Sequence, residues 1–371
     1  MEQRKIKIAH IVGGLHSGGV EAVIYNYFSH INMDSFEVHI ISNSPSVKEC
    51  EDSFRKLGFI IHVLPERKKD FVGNLKQTIK IFKENNFDIL HSHMNLNSFY
   101  HTFLGALTGI KVRIAHSHLV EFPSNPVAKT VAGIKKLLNK MFANRYFACG
   151  ETAGTYLFGK KNVKNGNVYI LKNAIDINNF LYNEDTRNLI RTELNIGNRF
   201  CIGHVGRFTE QKNHTMLIDI FNEFHKLKPD SILILIGTGE LENEIKSKVN
   251  NYKLNDSVKF LGVKNDIYKY YQAMDAFLFP SIYEGLGIVL VEAQSASLPC
   301  FSSDVVPHEA KVSELVEFYS LSMNVREWAE NINNYNYQPR ICMKSTILNA
   351  GYEIDSAAKE LEKWYISQIK G

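Results

Sequence analysis

Short apolar runs separated by longer amphipathic segments dominate this chain, and the alternation runs through once and then starts again. Lys5–Val12, Glu37–Ser42, Phe59–Leu64, Ile89–Ser92, Val112–His116 and Arg145–Cys149 read as buried strands. A helix over Val20–Ile31 and further helical segments lie between them. The second series places strands at Phe200–Gly206, Ser231–Ile236, Val258–Leu261, Ala276–Pro280 and Pro299–Ser303. Amphipathic segments at Asn213–Lys226, Leu241–Tyr252, Ile267–Ala273 and Gly287–Ser297 separate these. Apolar strands without polar alternation, joined through helices, indicate parallel sheets covered on both faces. The expectation is an α/β fold with two doubly wound, Rossmann-like domains, since 371 residues exceed one ordinary core. The polar segment around Lys172–Asp185 is the expected link. The boundary is placed between residues 171 and 172, with a C-terminal helix over 350–371 packing back on the first domain.

Composition narrows the function. Apolar residues make up 44% and charged residues 22%, and the formal charge is only +4. That excess is too small to imply nucleic acid. Five scattered cysteines without CxxC spacing predict a reduced, cytoplasmic setting with no structural zinc. No run reaches the ~20 apolar residues that a membrane span needs. The expected location is the cytoplasm, extending to the inner face of the plasma membrane.

Open parallel sheets bind ligands just beyond the carboxyl ends of their strands. Three loops there carry chemistry. In Pro280-Ser-Ile-Tyr-Glu-Gly-Leu-Gly-Ile-Val-Leu-Val-Glu292, a strand gives way to a loop with Glu284, Gly285 and Gly287, and a helix is expected from about Leu286. Amide groups at a helix start bind anions, and glycines let a phosphate approach. Glu292 falls about two turns after Glu284, so both would face one ligand. A helix N-terminal acid followed by an ordinary helical glutamate is the alternative. In Gly203-His-Val-Gly-Arg-Phe-Thr-Glu-Gln-Lys-Asn-His214, Arg207 and Lys212 sit between strand and helix. Two cations in such a loop can neutralise a diphosphate, although surface Arg and Lys are commonly just solvated. Gly13-Gly-Leu-His-Ser-Gly-Gly-Val-Glu21 supplies Gly18 and Gly19 after the first strand, as a site of close ligand approach or as a tight turn. It lacks GxGxxG, and Ser42-Asn-Ser44 offers no ribose acid, which argues against an NAD enzyme.

Taken together, Arg207 with Lys212 and the Glu284–Glu292 element resemble family 4 of the retaining glycosyltransferases, which have the GT-B fold of two Rossmann-like domains facing across a cleft. Lys172-Asn-Ala-Ile-Asp-Ile-Asn-Asn-Phe180, Phe147-Ala-Cys-Gly-Glu-Thr-Ala153, Gly262-Val-Lys-Asn-Asp266 and Arg113-Ile-Ala-His-Ser-His118 match as well. The branch most similar builds bacterial capsular polysaccharide and exopolysaccharide. The resemblance implies that Arg207 and Lys212 bind the donor diphosphate, Glu284 holds hydroxyls of the donor sugar, and Glu292 holds the ribose. It puts the backbone of Gly285, Leu286, Gly287 and Ile288 against sugar and phosphate, and Val263 beside the base. A family histidine that meets the donor sugar corresponds to His116 or His118, with His118 favoured. His91 and His93 are candidates for the acceptor side.

The resemblance also implies transfer from a nucleotide sugar, by family habit a UDP sugar, to a glycan or lipid-linked acceptor with retention of configuration. No Asp-x-Asp occurs, and no His/Cys/Asp cluster has metal-ligand spacing in the sequence, so no metal and no cofactor are expected. Arg207, Lys212 and helix N-termini would then stabilise the leaving group. Two other classes compete. A sugar-nucleotide epimerase of the same fold would turn over the donor without acceptor, and a non-catalytic binding protein would bind without turnover. Finally, Val127–Arg145 places Val127, Val131, Ile134, Leu137, Leu138 and Met141 at helical spacing among lysines. Such a helix lies on an anionic membrane or forms an ordinary domain helix with a solvated basic face.

Overall fold

The computed structural model describes residues 4–16, 18–120 and 125–370. The chain separates into two compact units, Met1–Ile175 with Gly351–Gly371, and Asp176–Ala350.

The first unit is built on seven strands: β1 (Ile6–Val12), β2 (Phe36–Ser42), β3 (Ile60–Val63), β4 (Ile89–Ser92), β5 (Val112–Ser117), β6 (Arg145–Ala148) and β7 (Val168–Ile170). They are parallel in the order β3-β2-β1-β4-β5-β6-β7. Side chains alternate across a strand, and β1 shows it. Ile8 and Val12 enter one core with Val38, Ile89 and Ile114, while Ala9 and Ile11 enter the opposite one with Ile41, Leu90 and Leu104. The first face is covered by Val23, Ile24, Tyr27 and Phe28 and by Ile354, Ala358, Leu361 and Tyr365 of the C-terminal helix Ile354–Lys370. Its period of three to four apolar residues is what lets that helix close this core. The division between units falls after Ile175 rather than after residue 171. Leu171 and Ala174 belong to the first core, and Ile175 exchanges backbone hydrogen bonds with Tyr352 and Ile354 at 2.9 and 3.1 Å.

The second unit has six parallel strands: β8 (Phe200–Val205), β9 (Ser231–Ile236), β10 (Val258–Phe260), β11 (Ala276–Phe279), β12 (Cys300–Ser303) and β13 (Val316–Tyr319). Their order is β10-β9-β8-β11-β12-β13. Every residue of β9, Ser-Ile-Leu-Ile-Leu-Ile, is buried, as a strand covered on both faces requires. Both units thus have the doubly wound arrangement. In each the strand order reverses beside the first strand, between β1 and β4 and between β8 and β11, and crevices open at such points.

The sequence reading missed β7 and β13. Both are sheet-edge strands of three and four residues, too short to show a period. None of the five cysteines is in a disulfide. Among the described residues no helix is long and apolar enough to cross a membrane.

Candidate active site

The crevice between β8 and β11 assembles most of the predicted residues. Phe277 of β11 lies beside Gly203 of β8, so the loops after these strands emerge together. Three contacts lock them: Ile282 N–H donates to Gln211 O at 2.8 Å, Gln211 Nε2 donates to Tyr283 O at 3.0 Å, and Asn213 Nδ2 donates to Pro280 O at 3.1 Å. Within this clamp Lys212 Nζ donates to Glu284 Oε1 at 2.6 Å, and Gln211 Nε2 donates to Glu284 Oε2 at 3.2 Å. Lys212 also sits over the Phe279 ring, 4.8 Å from its centroid. The carboxylate of Glu284 is buried with both oxygens engaged. Removing one partner of such a pair strands a charge.

Glu292 approaches from the helix Ile288–Ser295. The expected helix start near Leu286 is corrected to Ile288. Gly287 holds φ 83° and ψ 52°, a left-handed conformation that interrupts the helix and favours glycine. Glu284 therefore lies in the loop, and the two-turn spacing is not what aligns the carboxylates. They are related instead through Lys212, which is paired with Glu284 and exerts a Coulombic pull on Glu292. Leu286 is buried and Gly285 lies beneath the surface, so at both positions only backbone is offered. Among the described residues no side chain caps the Ile288 helix, and Leu290 N–H donates to Gly287 O at 2.9 Å.

Tyr271 Oη donates to Glu292 Oε2 at 2.8 Å. Burial raises the Glu292 carboxyl from 4.5 to about 7, against the opposing pulls of Tyr271 and Lys212. The folded state then holds a proton that the unfolded chain has already lost. Stability from this group is full below pH 4.5 and falls as pH rises towards 7, by about 3 kcal/mol for a shift of this size. Glu292→Gln removes that fall. Urea unfolding at the two ends of this range should show the variant gaining on the parent as pH rises, and a constant difference would contradict the assignment.

Arg207 is exposed and has no side-chain ion pair among the described residues. Its loop packs on Gly237-Thr-Gly239, which follows β9 and was not singled out in the sequence. A Cβ at Gly237 would lie 2.1 Å from Gly206 O, at φ +135°, and a Cβ at Gly239 would lie 2.5 Å from Phe208 O. Two glycines flanking one residue directly after a fully apolar strand were the available signal. Gly237 N–H also donates to Gly262 O at 2.9 Å, which brings exposed Val263 to the same sheet edge. Gln211 was missed too, because glutamine in a polar loop carries no distinguishing pattern.

In the first unit, Gly18 and Gly19 open the helix Gly19–Phe28 beyond β1, and nothing lies within 4 Å of a Cβ built on Gly19. Of the two candidate donor histidines, His116 is wholly buried. Only the half-buried His118 reaches the surface. His91 and His93 are buried as well, which leaves them little access to an acceptor. They join a network: His91 Nε2 lies 3.0 Å from His116 Nδ1, His93 Nδ1 lies 2.9 Å from His118 Nε2, and His93 Nε2 lies 2.9 Å from His10 Nδ1. Burial lowers all five rings, His10 and His118 to about 3, and keeps them neutral. The sequence has no linear metal-ligand spacing, but the fold brings histidines together in space. His10, His91 and His93, and likewise His93, His116 and His118, place ring nitrogens within 4.8 Å of one another. These ligands come from different strands, so linear spacing could not show them.

Comparison with known proteins places this geometry in context. Residues 186–335 match the family described as Glycosyl transferases group 1, and residues 17–179 match Glycosyltransferase Family 4. The chain is 29% identical over 364 residues to the putative glycosyltransferase EpsF of Bacillus subtilis, covering 95% of this chain and 94% of that one. It is 25% identical over 334 residues to the Escherichia coli UDP-Gal:alpha-D-GlcNAc-diphosphoundecaprenol alpha-1,3-galactosyltransferase, with 86% and 85% covered. The crystal structure of Anabaena HepE in complex with UDP and glucose superposes with a TM-score of 0.79 at 17% identity, covering 98% of this chain and all of HepE, which shows a shared fold.

Proposed function

The chain belongs to the family 4 glycosyltransferases, with their GT-B fold, and from that premise we propose that it transfers a sugar from a UDP sugar to a glycan or lipid-linked acceptor, with retention of configuration and without a metal, in surface polysaccharide assembly. The observation that carries this reading is the pairing of Lys212 with Glu284 and its Coulombic pull on Glu292, at a crevice of the second unit where the loop after β8 also carries Arg207. Arg207 offers a free guanidinium to the diphosphate, which it can grip bidentately. Lys212 has three donors and can serve Glu284 and a phosphate at once. Together with the N-terminus of the Ile288 helix they supply the positive charge that the departing diphosphate needs. Glu284 takes hydroxyls of the sugar, Glu292 takes the ribose and Val263 flanks the base.

Glu284 is poorly placed to act as a nucleophile, since both oxygens already accept hydrogen bonds. That favours front-side attack by the acceptor without a covalent intermediate. The uridine donor and a lipid diphosphate acceptor are the chemistry in the name of the Escherichia coli relative. The test is the anomeric configuration of product formed in EDTA from an α-linked UDP sugar and an undecaprenyl diphosphate sugar, read by proton NMR. An α-product is expected. A β-product would overturn retention, and donor turnover without acceptor would point to an epimerase.

Membrane contact is part of the same reading. The helix Pro126–Phe142 buries Ala132 and Asn139, whose Nδ2 donates to Leu96 O at 2.9 Å. Its apolar stripe faces outward: Val127 is 73% exposed, Leu137 58% and Met141 62%, with Val131 and Ile134 between them. Exposed Phe103 and Leu107 of the adjoining helix Ser98–Leu107 extend this surface, and Phe103 packs on Phe142. Exposed Lys129 and Lys140 flank it. An apolar stripe with basic flanks suits an anionic bilayer surface. The protein should float with anionic vesicles, and a joint Ile134→Asp, Leu137→Asp variant should bind at least about tenfold less. Absence of parent binding would contradict this contact.

A further inference from the structure

The histidines of the first unit form a second constellation, at the corresponding crevice of the other sheet. His10, His91 and His116 share strand parity with the core residues Ile8, Ile89 and Ile114, so they line one sheet face across β1, β4 and β5. His93 and His118 continue β4 and β5 towards the surface. We propose that His93, His116 and His118 form a site for one divalent ion of the zinc class, with a fourth coordination position open on the side of His118.

One ring nitrogen of each of these residues lies within 4.8 Å of the other two. Zinc bonds of about 2.0–2.1 Å in a tetrahedral array need nitrogens about 3.3 Å apart. His93 and His118 already stand at 2.9 Å, so a small opening admits the ion in place of their shared proton. His116 contributes Nε2, the nitrogen that His91 does not occupy. Among the described residues it is buried without a hydrogen-bond partner, which leaves it an unused donor atom. The rings beyond the ligands have the order of a supporting shell. His116 Nδ1 is held by His91, whose own Nδ1 lies 2.7 Å from Tyr365 Oη, and His93 Nε2 is held by His10. Such contacts fix the ring orientation and tautomer of metal-binding histidines.

The donor set decides the ion. Three imidazoles without a carboxylate suit Zn²⁺, Co²⁺, Ni²⁺ or Cu²⁺, whereas Mg²⁺ and Ca²⁺ require oxygen ligands. The site therefore differs in kind from the Mg²⁺ or Mn²⁺ that would accompany a diphosphate, and it stands whether or not His118 also meets a sugar. Only His118 of the trio is accessible enough for a water or small anion to complete the coordination.

The test is titration of the full chain with Co²⁺ after chelator treatment and desalting. One saturable equivalent with a visible spectrum of tetrahedral nitrogen coordination is expected, displaced by Zn²⁺ and unaffected by excess Mg²⁺. His118→Gln should weaken binding about 100-fold, with His93→Gln acting in the same direction and circular dichroism confirming that both fold. His308→Gln, an exposed position on the second unit, should bind like the parent. Absence of the tetrahedral spectrum in the parent, or an unchanged affinity in folded His118→Gln, would overturn the site.

Discussion

Glu284→Gln should lower turnover about 100-fold while the folded state persists. The effect follows from where the charge sits. Glu284 is buried between Lys212 and Gln211, so its carboxylate orients whatever hydroxyl it accepts, and it sets the position of the lysine. Glutamine fills the same volume and can still accept from Lys212 through its carbonyl oxygen. It replaces the other acceptor with an NH₂ that faces the Gln211 amide, so one contact turns from attraction to repulsion. A misplacement of about 1 Å in a reacting sugar is enough for a 100-fold loss. Initial rates with saturating donor and acceptor check the result, with circular dichroism as the folding control. Turnover within a fewfold of the parent would remove Glu284 from the mechanism.

Arg207→Ala should weaken binding of a nucleoside diphosphate roughly tenfold to hundredfold with little effect on stability. A hydrogen bond between charged groups contributes about 1.5–3 kcal/mol, and each 1.4 kcal/mol is a factor of ten in affinity. Arg207 holds no ion pair among the described residues, so its removal strands no buried charge. Lys212→Ala differs in kind. It leaves buried Glu284 without its counter-ion and should lose stability and affinity together. Calorimetric titration with UDP, alongside thermal unfolding, separates the two variants. Equal affinity in Arg207→Ala and the parent would show that the guanidinium does not reach the diphosphate.

The sequence made much of this legible because buried parallel strands announce themselves. β8, β9 and β11 are buried, largely apolar runs, and the loops that follow them can be read off directly. Arg207, Lys212 and Glu284 were found in that way. What stayed hidden depends on adjacency across strands. Gln211 has meaning only once the β8 and β11 loops touch, and Gly237 only once its backbone meets Gly206. The histidine network needs β1, β4 and β5 side by side, an order that no local pattern encodes. The helix over 126–142 was recognised, but not which face it buries. Its inward positions are Ala132 and Asn139, while the larger apolar residues point out. The misplaced helix start at Leu286 has a local cause, since the left-handed backbone of Gly287 cannot be inferred from a glycine alone.

The central claim is that the β8–β11 crevice binds a nucleotide diphosphate sugar through Arg207 and Lys212 rather than through a metal. The direct measurement is thermal unfolding of the parent and of Arg207→Ala with a panel of UDP, GDP and ADP sugars in the presence of EDTA. A ligand specific for the native state raises the midpoint in step with the logarithm of its concentration over Kd. A clear rise is expected with a UDP sugar, one that EDTA leaves intact and that Arg207→Ala diminishes. A rise that EDTA abolishes, or one that is the same in both proteins, would contradict it.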